Sequence, residues 1–199
     1  NSLHMSLRAS GADSKDLPDP GFLECLTTVP FGNLYLALQD GPLVFFSGAN
    51  VDPDQGLTRA LKASGWTCQE LRGGEEPDAL VRLRGAVAQR PVLVGPLDMG
   101  YLSYNPNHIY MAGADHFMVI LAIENDTALL HDPQGFPCST LPLSEFLQAW
   151  KAEEVAYRQA PYTLRCSFEH VEQVSRAEMI ARTLPAIRAN LVANPGGPD

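Results

Sequence analysis

The chain has 199 residues, of which 45% are hydrophobic, so it is long enough for one domain with a real core and a small appendage. A formal charge of −9 argues against a nucleic-acid partner or an anionic membrane, because the chain has no excess of cations to displace counterions. No apolar run reaches the roughly 20 residues of a membrane span, and the start lacks a basic segment followed by an apolar one. These features predict a cytoplasmic protein that binds neither nucleic acid nor membrane.

The first 20 residues predict a flexible lead-in. They begin with NSLHM, which resembles residues left by cloning, so that Met5 is the expected natural start. The residues that follow are rich in Ser, Gly, Asp and Pro, a composition typical of loose segments. The expected division is a lead-in over 1–20, a main domain over 21–167, a helical appendage over 168–193 and a disordered tail over 194–199.

Hydrophobic spacing predicts the regular elements. Phe31, Leu34 and Leu38 recur at helical spacing after the candidate cap Thr28, which predicts a helix over about 30–39. Similar patterns predict strands at 43–46, 66–71, 91–97 and 154–164, helices from Pro53, from about Pro77 and over about 143–150, and a last helix after the Ser175 cap with an apolar stripe of Ile180, Leu184, Ile187 and Leu191. Helices followed by a mostly antiparallel sheet built from 91–165 predict the α+β class.

The middle of the chain has the pattern of a β-hairpin. The apolar runs 117–123 and 128–130 are joined by the polar turn 124–126. His116 opens the first strand, and Asp132 follows the second. Antiparallel pairing brings the start of one strand beside the end of the other, so we expect His116 and Asp132 to be neighbours.

A histidine held by a carboxylate has a fixed tautomer and a supported positive charge, as a general base that activates a nucleophile requires. The pair therefore predicts a catalytic base, His116, with Asp132 as its orienter. In the simpler interpretations, His116 is a satisfied core histidine and Asp132 is a turn residue that binds its own backbone. Asp98, at the end of the 91–97 strand, is expected either to bind a substrate amine or to cap a loop.

The candidate nucleophiles are the four cysteines. Their spacing is irregular and includes no CxxC, so neither a zinc site nor a disulfide framework is indicated, and we predict no metal or cofactor. Cys25 is the best candidate because it precedes the predicted helix, whose N-terminus would favour the thiolate; the alternative is a small buried hydrophobe. Cys68 and Cys166 lie in apolar strand patterns and are expected in the core, whereas Cys138 is the rival nucleophile because it is close to Asp132 in sequence.

A resemblance to a known family covers roughly residues 25–165. It is carried by RPVLVGPLDMGYLSYNPNH, followed by ADHFMVILAI and LLHDPQG. These segments resemble the N-terminal domain of the butirosin biosynthesis protein H family and, more distantly, the C39 papain-like cysteine peptidases. The most telling positions are the run Asp98, Tyr101, Leu102 and Tyr104, together with the histidine and aspartate of the hairpin. The resemblance implies a papain-like fold, in which a helix carrying the cysteine packs on a mostly antiparallel sheet.

The resemblance also implies an activity, the transfer of an aminoacyl group from a carrier-protein thioester to an amine of an aminoglycoside through an acyl-cysteine. Carried over to this chain, it makes Cys25 the nucleophile, His116 the base and Asp132 its orienter. The candidate substrate-binding residues are Asp98, Tyr101 and Tyr104. We therefore expect cysteine-dependent acyl transfer, or hydrolysis of an amide or thioester, in antibiotic or peptide natural-product biosynthesis, with an acyl carrier protein or other thioester donor and an amine acceptor as partners. The alternative is a non-catalytic binding module that holds a peptide or small molecule in the same cleft.

Overall fold

The computed structural model describes residues 1–13, 17–32, 34–38, 41–45 and 52–193. The helices and strands, in chain order, are α1 (Ser2–Ala9), α2 (Pro20–Thr27), β1 (Leu34–Leu38), β2 (Gly41–Phe45), α3 (Pro53–Ala63), β3 (Trp66–Leu71), α4 (Glu76–Val87), β4 (Val92–Asp98), β5 (Asp115–Glu124), β6 (Thr127–Asp132), β7 (Phe136–Pro142), α5 (Leu143–Lys151), β8 (Leu164–His170) and α6 (Arg176–Val192). Short 3-10 turns occupy Met99–Tyr101 and His108–Tyr110. The described part of the chain is α+β, with the antiparallel sheet that the sequence predicted.

The chain divides into two compact units. The sheet unit comprises Asn1–Leu17 and Cys68–Glu169, and the helical unit comprises Pro18–Thr67 and His170–Asp199. The sequence predicted one main domain over 21–167, a range that includes parts of both units.

The sheet unit is built on six strands in the order β3-β8-β4-β5-β6-β7. Its main core lies between this sheet and helices α4 and α5, where Phe146 and Trp150 of α5 are fully buried. Strand β4 is buried along its whole length, as is typical of a central strand covered on both faces. At the edge, β7 carries Pro137 and Pro142, and its pairing with β6 shifts register between Leu130 and Asp132.

Helix α1 is part of the sheet unit and packs against β4 and β5. Leu3 and Leu7 lie one turn apart on one face of the helix and are 4% and 0% exposed. The Ser2 hydroxyl donates to the carbonyl oxygen of Phe117 on β5 at 2.5 Å. The prediction of a flexible lead-in is therefore wrong over residues 2–9, because these two leucines give the segment an apolar face to bury.

The helical unit contains α2, α3 and α6, together with the hairpin of β1 and β2. The helix predicted over about 30–39 is wrong, since residues 34–38 form β1, which pairs with β2 in antiparallel register. The sequence LYLAL alternates with a period of two as well as suiting a helical stripe, and Pro30 and Gly32 stand where that helix would begin. The predicted packing of a 30–39 helix on the sheet is wrong for the same reason.

Several other predictions can be compared with the structure. Strands 66–71 and 91–97, the three helices of 53–151 and the Ser175 cap are confirmed; the Glu178 amide donates to the Ser175 hydroxyl at 3.2 Å. The strand predicted over 154–164 is wrong, because that stretch forms turns and β8 begins only at Leu164. Of the apolar stripe of α6, Ile180 and Leu191 are exposed and Leu184 and Ile187 are half-buried, while the buried side chains of the helix are Met179 and Thr183. The predicted tail, 194–199, lies outside the described residues.

Candidate active site

The β5–β6 hairpin positions the central pair of the site. Asn125 and Asp126 form a two-residue turn between the paired residues Glu124 and Thr127, and Asn125 adopts the positive φ of 51° that such turns favour. At the other end of the hairpin, His116 Nε2 lies 2.8 Å from Asp132 Oδ1. The predicted contact between these two side chains is confirmed.

The pair is buried and the carboxylate is well supplied with donors. His116 is 7% exposed and Asp132 is 2% exposed. Besides the contact with His116, Oδ1 accepts the Gln134 backbone N–H at 2.7 Å, and Oδ2 accepts the Tyr104 hydroxyl at 2.7 Å. Burial by itself would raise the pKa of Asp132, but the hydrogen bond from His116, the Gln134 N–H, the charge of His116 and the Tyr104 hydroxyl together hold it below its usual value.

The ionised carboxylate determines the state of the imidazole. Because a carboxylate can only accept, Nε2 of His116 must carry the proton that points at Asp132. When the imidazole is neutral, Nδ1 therefore has a free lone pair. This arrangement can accept a proton at Nδ1 and stabilise the resulting imidazolium through Asp132.

Tyr104 reaches the site from the irregular segment between β4 and β5. Its ring and that of Phe136 pack in an edge-to-face arrangement, with centroids 5.3 Å apart, and its hydroxyl donates to Asp132. Burial first, and then the hydrogen bond and negative charge of Asp132, raise the pKa of Tyr104 far above its usual value, so the phenol stays a neutral donor. The sequence analysis predicted that Tyr104 binds substrate and did not predict its contact with Asp132. Binding of substrate by Tyr104 stays a prediction.

Asp98 is hydrogen-bonded to the backbone of the same irregular segment. Its Oδ1 accepts the backbone N–H groups of Gly100 at 2.8 Å and Gly113 at 3.0 Å, and the residue is 1% exposed. Within the described residues, Oδ2 is also buried and has no hydrogen-bond partner. The loop-capping alternative thus matches the contacts of Asp98, while binding of a substrate amine stays a prediction. Tyr101, next in the segment, is 42% exposed.

Cys25 is placed differently from the prediction. It lies in the last turn of α2, which begins at Pro20 after the Asp19 cap, and the Thr28 N–H donates to the Cys25 carbonyl. The expectation that Cys25 stands at a helix N-terminus is therefore wrong, because the N-terminus of α2 is at Pro20 and Cys25 lies at the other end of the helix. Cys25 is partly buried and belongs to the helical unit, whereas His116 and Asp132 belong to the sheet unit.

The other three thiols lie on strands of the sheet unit. Cys138 on β7 is exposed and has a positive φ of 52°, next to the register shift of that strand. Burial raises the pKa of the Cys68 thiol to about 11. Cys166 is 8% exposed, as expected for a core cysteine. Among these three, Cys138 is the accessible thiol, so it remains the rival to Cys25.

No family model matches the chain. The chain is similar to the uncharacterized protein YobF of Bacillus subtilis (strain 168), with 35% identity over 148 residues. The match covers 70% of this chain and 44% of YobF, so the chain spans less than half the length of this relative. A function for the chain therefore has to be argued from its own residues.

Proposed function

We propose that the chain is a cysteine-dependent acyltransferase of papain-like fold, and that hydrolysis is the same reaction with water in place of the amine. The observation that carries the proposal is the buried hydrogen-bond chain from Tyr104 through Asp132 to His116. A carboxylate with three donors holds one imidazole nitrogen as a donor and leaves the other as a base. A histidine that only filled the core would not need an ionised, fully hydrogen-bonded carboxylate behind it.

The proposed reaction has two steps. His116 Nδ1 accepts the thiol proton of the cysteine, and the thiolate attacks the carbonyl carbon of an acyl thioester. The bond from that carbon to the donor sulfur breaks, the departing thiolate takes the proton from the imidazolium, and an acyl-cysteine remains. An amine then attacks the acyl-cysteine, gives a proton to His116 and leaves with the acyl group, after which the proton returns to the cysteine sulfur. Asp132 stays ionised and stabilises the imidazolium in both steps.

The nucleophile in this proposal is Cys25, which the family resemblance assigns. Its position in the last turn of α2 gives it no help from the helix dipole, so its activation has to come from the base. The resemblance also supplies the substrate class, an aminoacyl or peptidyl group on a carrier-protein thioester and an amine acceptor. Asp98, Tyr101 and Tyr104 remain the residues proposed to bind substrate.

Two measurements test the nucleophile. The chain is incubated with a small aminoacyl thioester of N-acetylcysteamine, and intact mass spectrometry should show an acyl adduct that is absent in Cys25→Ala and present in Cys138→Ala. Iodoacetamide should label Cys25 before the other three thiols. His116→Ala should slow that labelling sharply and Asp132→Asn should slow it less, because the orienter acts only through the base.

A matched control is His131→Ala, which removes the neighbouring histidine of the same hairpin. We expect it to leave adduct formation and labelling unchanged. An adduct lost in Cys138→Ala and kept in Cys25→Ala would move the nucleophile to β7. If no adduct forms and the order of labelling follows exposure alone, the acyltransferase proposal is wrong.

The second candidate function is a non-catalytic module that binds a peptide or small molecule. It is favoured by one observation, the place of Cys25 in the last turn of its helix and not at the helix N-terminus that the nucleophile prediction relied on. In that case the His116–Asp132–Tyr104 chain would serve stability alone. His116→Ala would then lower the melting temperature without changing the labelling rate of Cys25 in the folded protein.

A further inference from the structure

The sheet unit contains a concave site that His116 and Asp132 do not line. It is a groove of about 490 Å³ between α4, strands β3 and β8 and the residue that follows α1. Sites for small organic ligands have volumes of about 300–1,000 Å³, so the groove has the size for such a ligand. None of the candidate catalytic residues lines it, and the inference is independent of the proposed acyl transfer.

The charge of the groove is opposite to that of the chain. Among the described residues that line it, Arg82 and Arg90 are charged and none is acidic, although the chain carries a formal charge of −9. Gln69, Gln89 and the hydroxyl of Ser167 add neutral hydrogen-bonding groups around the arginines. A concave surface with two cations and no carboxylate attracts anions, because its low-dielectric walls concentrate the field.

Neither guanidinium group of the groove forms an ion pair with a carboxylate of the described residues. One Nη of Arg82 donates to the Gly73 carbonyl and anchors the side chain, while its Nε is buried and has no hydrogen-bond partner within the described residues. An unpaired buried donor is unfavourable unless a ligand or water supplies an acceptor. Arg90 extends past Gly11, with Nη1 3.8 Å from where a Cβ of that glycine would lie, and no described acidic side chain forms an ion pair with it.

We propose that this groove binds a small organic phosphate monoester. A phosphate monoester carries a charge of about −1.5 to −2 near neutral pH, which two arginines can balance. Guanidinium groups match phosphate oxygens with paired N–H donors. The rest of the groove offers Leu71 and Pro91 to an apolar part of the ligand and the glutamine amides to its hydroxyls or ring nitrogens. Inorganic phosphate would use only the arginine end.

The test uses adenosine monophosphate as the probe, adenosine as its uncharged counterpart, inorganic phosphate and acetate. Binding is followed through the Nε–H resonances of the arginines by heteronuclear NMR and through calorimetry, up to about 10 mM probe, where affinities of about 1 mM are measurable. We expect the Arg82 Nε–H resonance to shift with adenosine monophosphate, to shift less with inorganic phosphate, and not to shift with adenosine or acetate.

The variants are Arg82→Gln and Arg90→Gln, each expected to weaken binding about tenfold, since each removes one charge-assisted contact. The matched control is Arg84→Gln, on the same helix and exposed, whose guanidinium lies 3.4 Å from the Asn125 carbonyl and does not line the groove. It removes the same charge and should change the affinity by less than about twofold, because salt screens a charge that lies outside the groove.

Three outcomes would overturn the proposal. In the first, neither the arginine Nε–H resonances nor the heat measured by calorimetry change with any probe. In the second, Arg84→Gln weakens binding as much as the groove variants, which would show general attraction of anions. In the third, acetate binds as well as the phosphate probes, which would make the groove a carboxylate site. If Arg82→Gln does not fold, Arg90→Gln decides, because its side chain is exposed and replaceable without loss of core packing.

Discussion

Replacing Tyr104 with phenylalanine removes one hydroxyl from the buried network and keeps the ring that packs on Phe136. Asp132 Oδ2 then loses the donor that lies 2.7 Å away, while Oδ1 keeps His116 and the Gln134 N–H. Hydrogen bonds to a charged group contribute about 1.5–3 kcal/mol, so we expect a loss of that size in the free energy of unfolding at neutral pH. For a chain of this length, the loss corresponds to a fall in melting temperature of about 3–12 °C.

The size of this loss should depend on pH. The pKa of Asp132 is lowered in the folded chain, so its ionised form stabilises the fold above the unfolded-state pKa of about 3.9, and this contribution is lost as the pH falls through the folded-state pKa. Removing the Tyr104 hydroxyl raises the folded-state pKa of Asp132 towards the unfolded one. The difference between the wild type and Tyr104→Phe should therefore be largest at neutral pH and shrink below about pH 4.

Urea unfolding followed by circular dichroism, at neutral pH and near pH 3, measures the loss of stability in Tyr104→Phe and the dependence of that loss on pH. The matched control is Tyr110→Phe, which removes a hydroxyl from an 83% exposed tyrosine of the same segment and should change stability by less than about 0.5 kcal/mol. A Tyr104→Phe variant that is no less stable than Tyr110→Phe would refute the reasoning. So would a loss of the same size at both pH values.

Three further predictions concern the imidazole, the N-terminal helix and one glycine. Heteronuclear NMR should find neutral His116 as the Nε2–H tautomer, and Asp132→Asn should weaken that preference, whereas equal tautomers in the wild type would contradict the assigned hydrogen bond. Leu7→Ala should reduce the free energy of unfolding by about 2–5 kcal/mol, while Arg8→Ala on the exposed face should change it little; equal effects in urea unfolding would mean that α1 is not packed on the sheet unit. Gly65 has a φ of 78°, and a Cβ there would collide with the Glu172 carbonyl. Gly65→Ala should therefore cost about 1–3 kcal/mol more than Gly73→Ala, where φ is 75° and the space is open, and equal melting temperatures would argue against the collision.

The closeness of His116 and Asp132 was predictable because antiparallel pairing brings the start of β5 beside the end of β6, whereas the exact register was not, since the pairing shifts by one residue between Ile120 and Ala122. The contact of Tyr104 with Asp132 was not predictable in this way. Tyr104 lies in an irregular segment with two 3-10 turns, where no period relates position in the sequence to position in space. Local pattern thus predicts two residues of the buried network, and tertiary packing supplies the third.

Two helix starts and one strand show where different local sequence patterns predict different structures. The pair Asp52–Pro53 marks the start of α3 and predicted it, and the pair Asp19–Pro20 marks the start of α2 in the same way. The second pair did not lead to a predicted helix, because the residues around it are rich in Pro, Asp and Gly. That composition is typical of the residues that flank a helix cap and hides the helix that follows. Over 34–38, one leucine pattern suits both periods, and pairing with β2 decides for the strand.

Strand β7 also bears on the solution behaviour of the protein, because it is an edge of the six-stranded sheet. An open edge offers unpaired backbone groups to strands of other molecules, which is a route to aggregation. In β7, Pro137 and Pro142 have no N–H to offer, and the positive φ of Cys138 interrupts the extended run between them. This edge is therefore a poor template for a further strand, and the accessible thiol of Cys138 lies within the same interruption that protects it from pairing with another molecule.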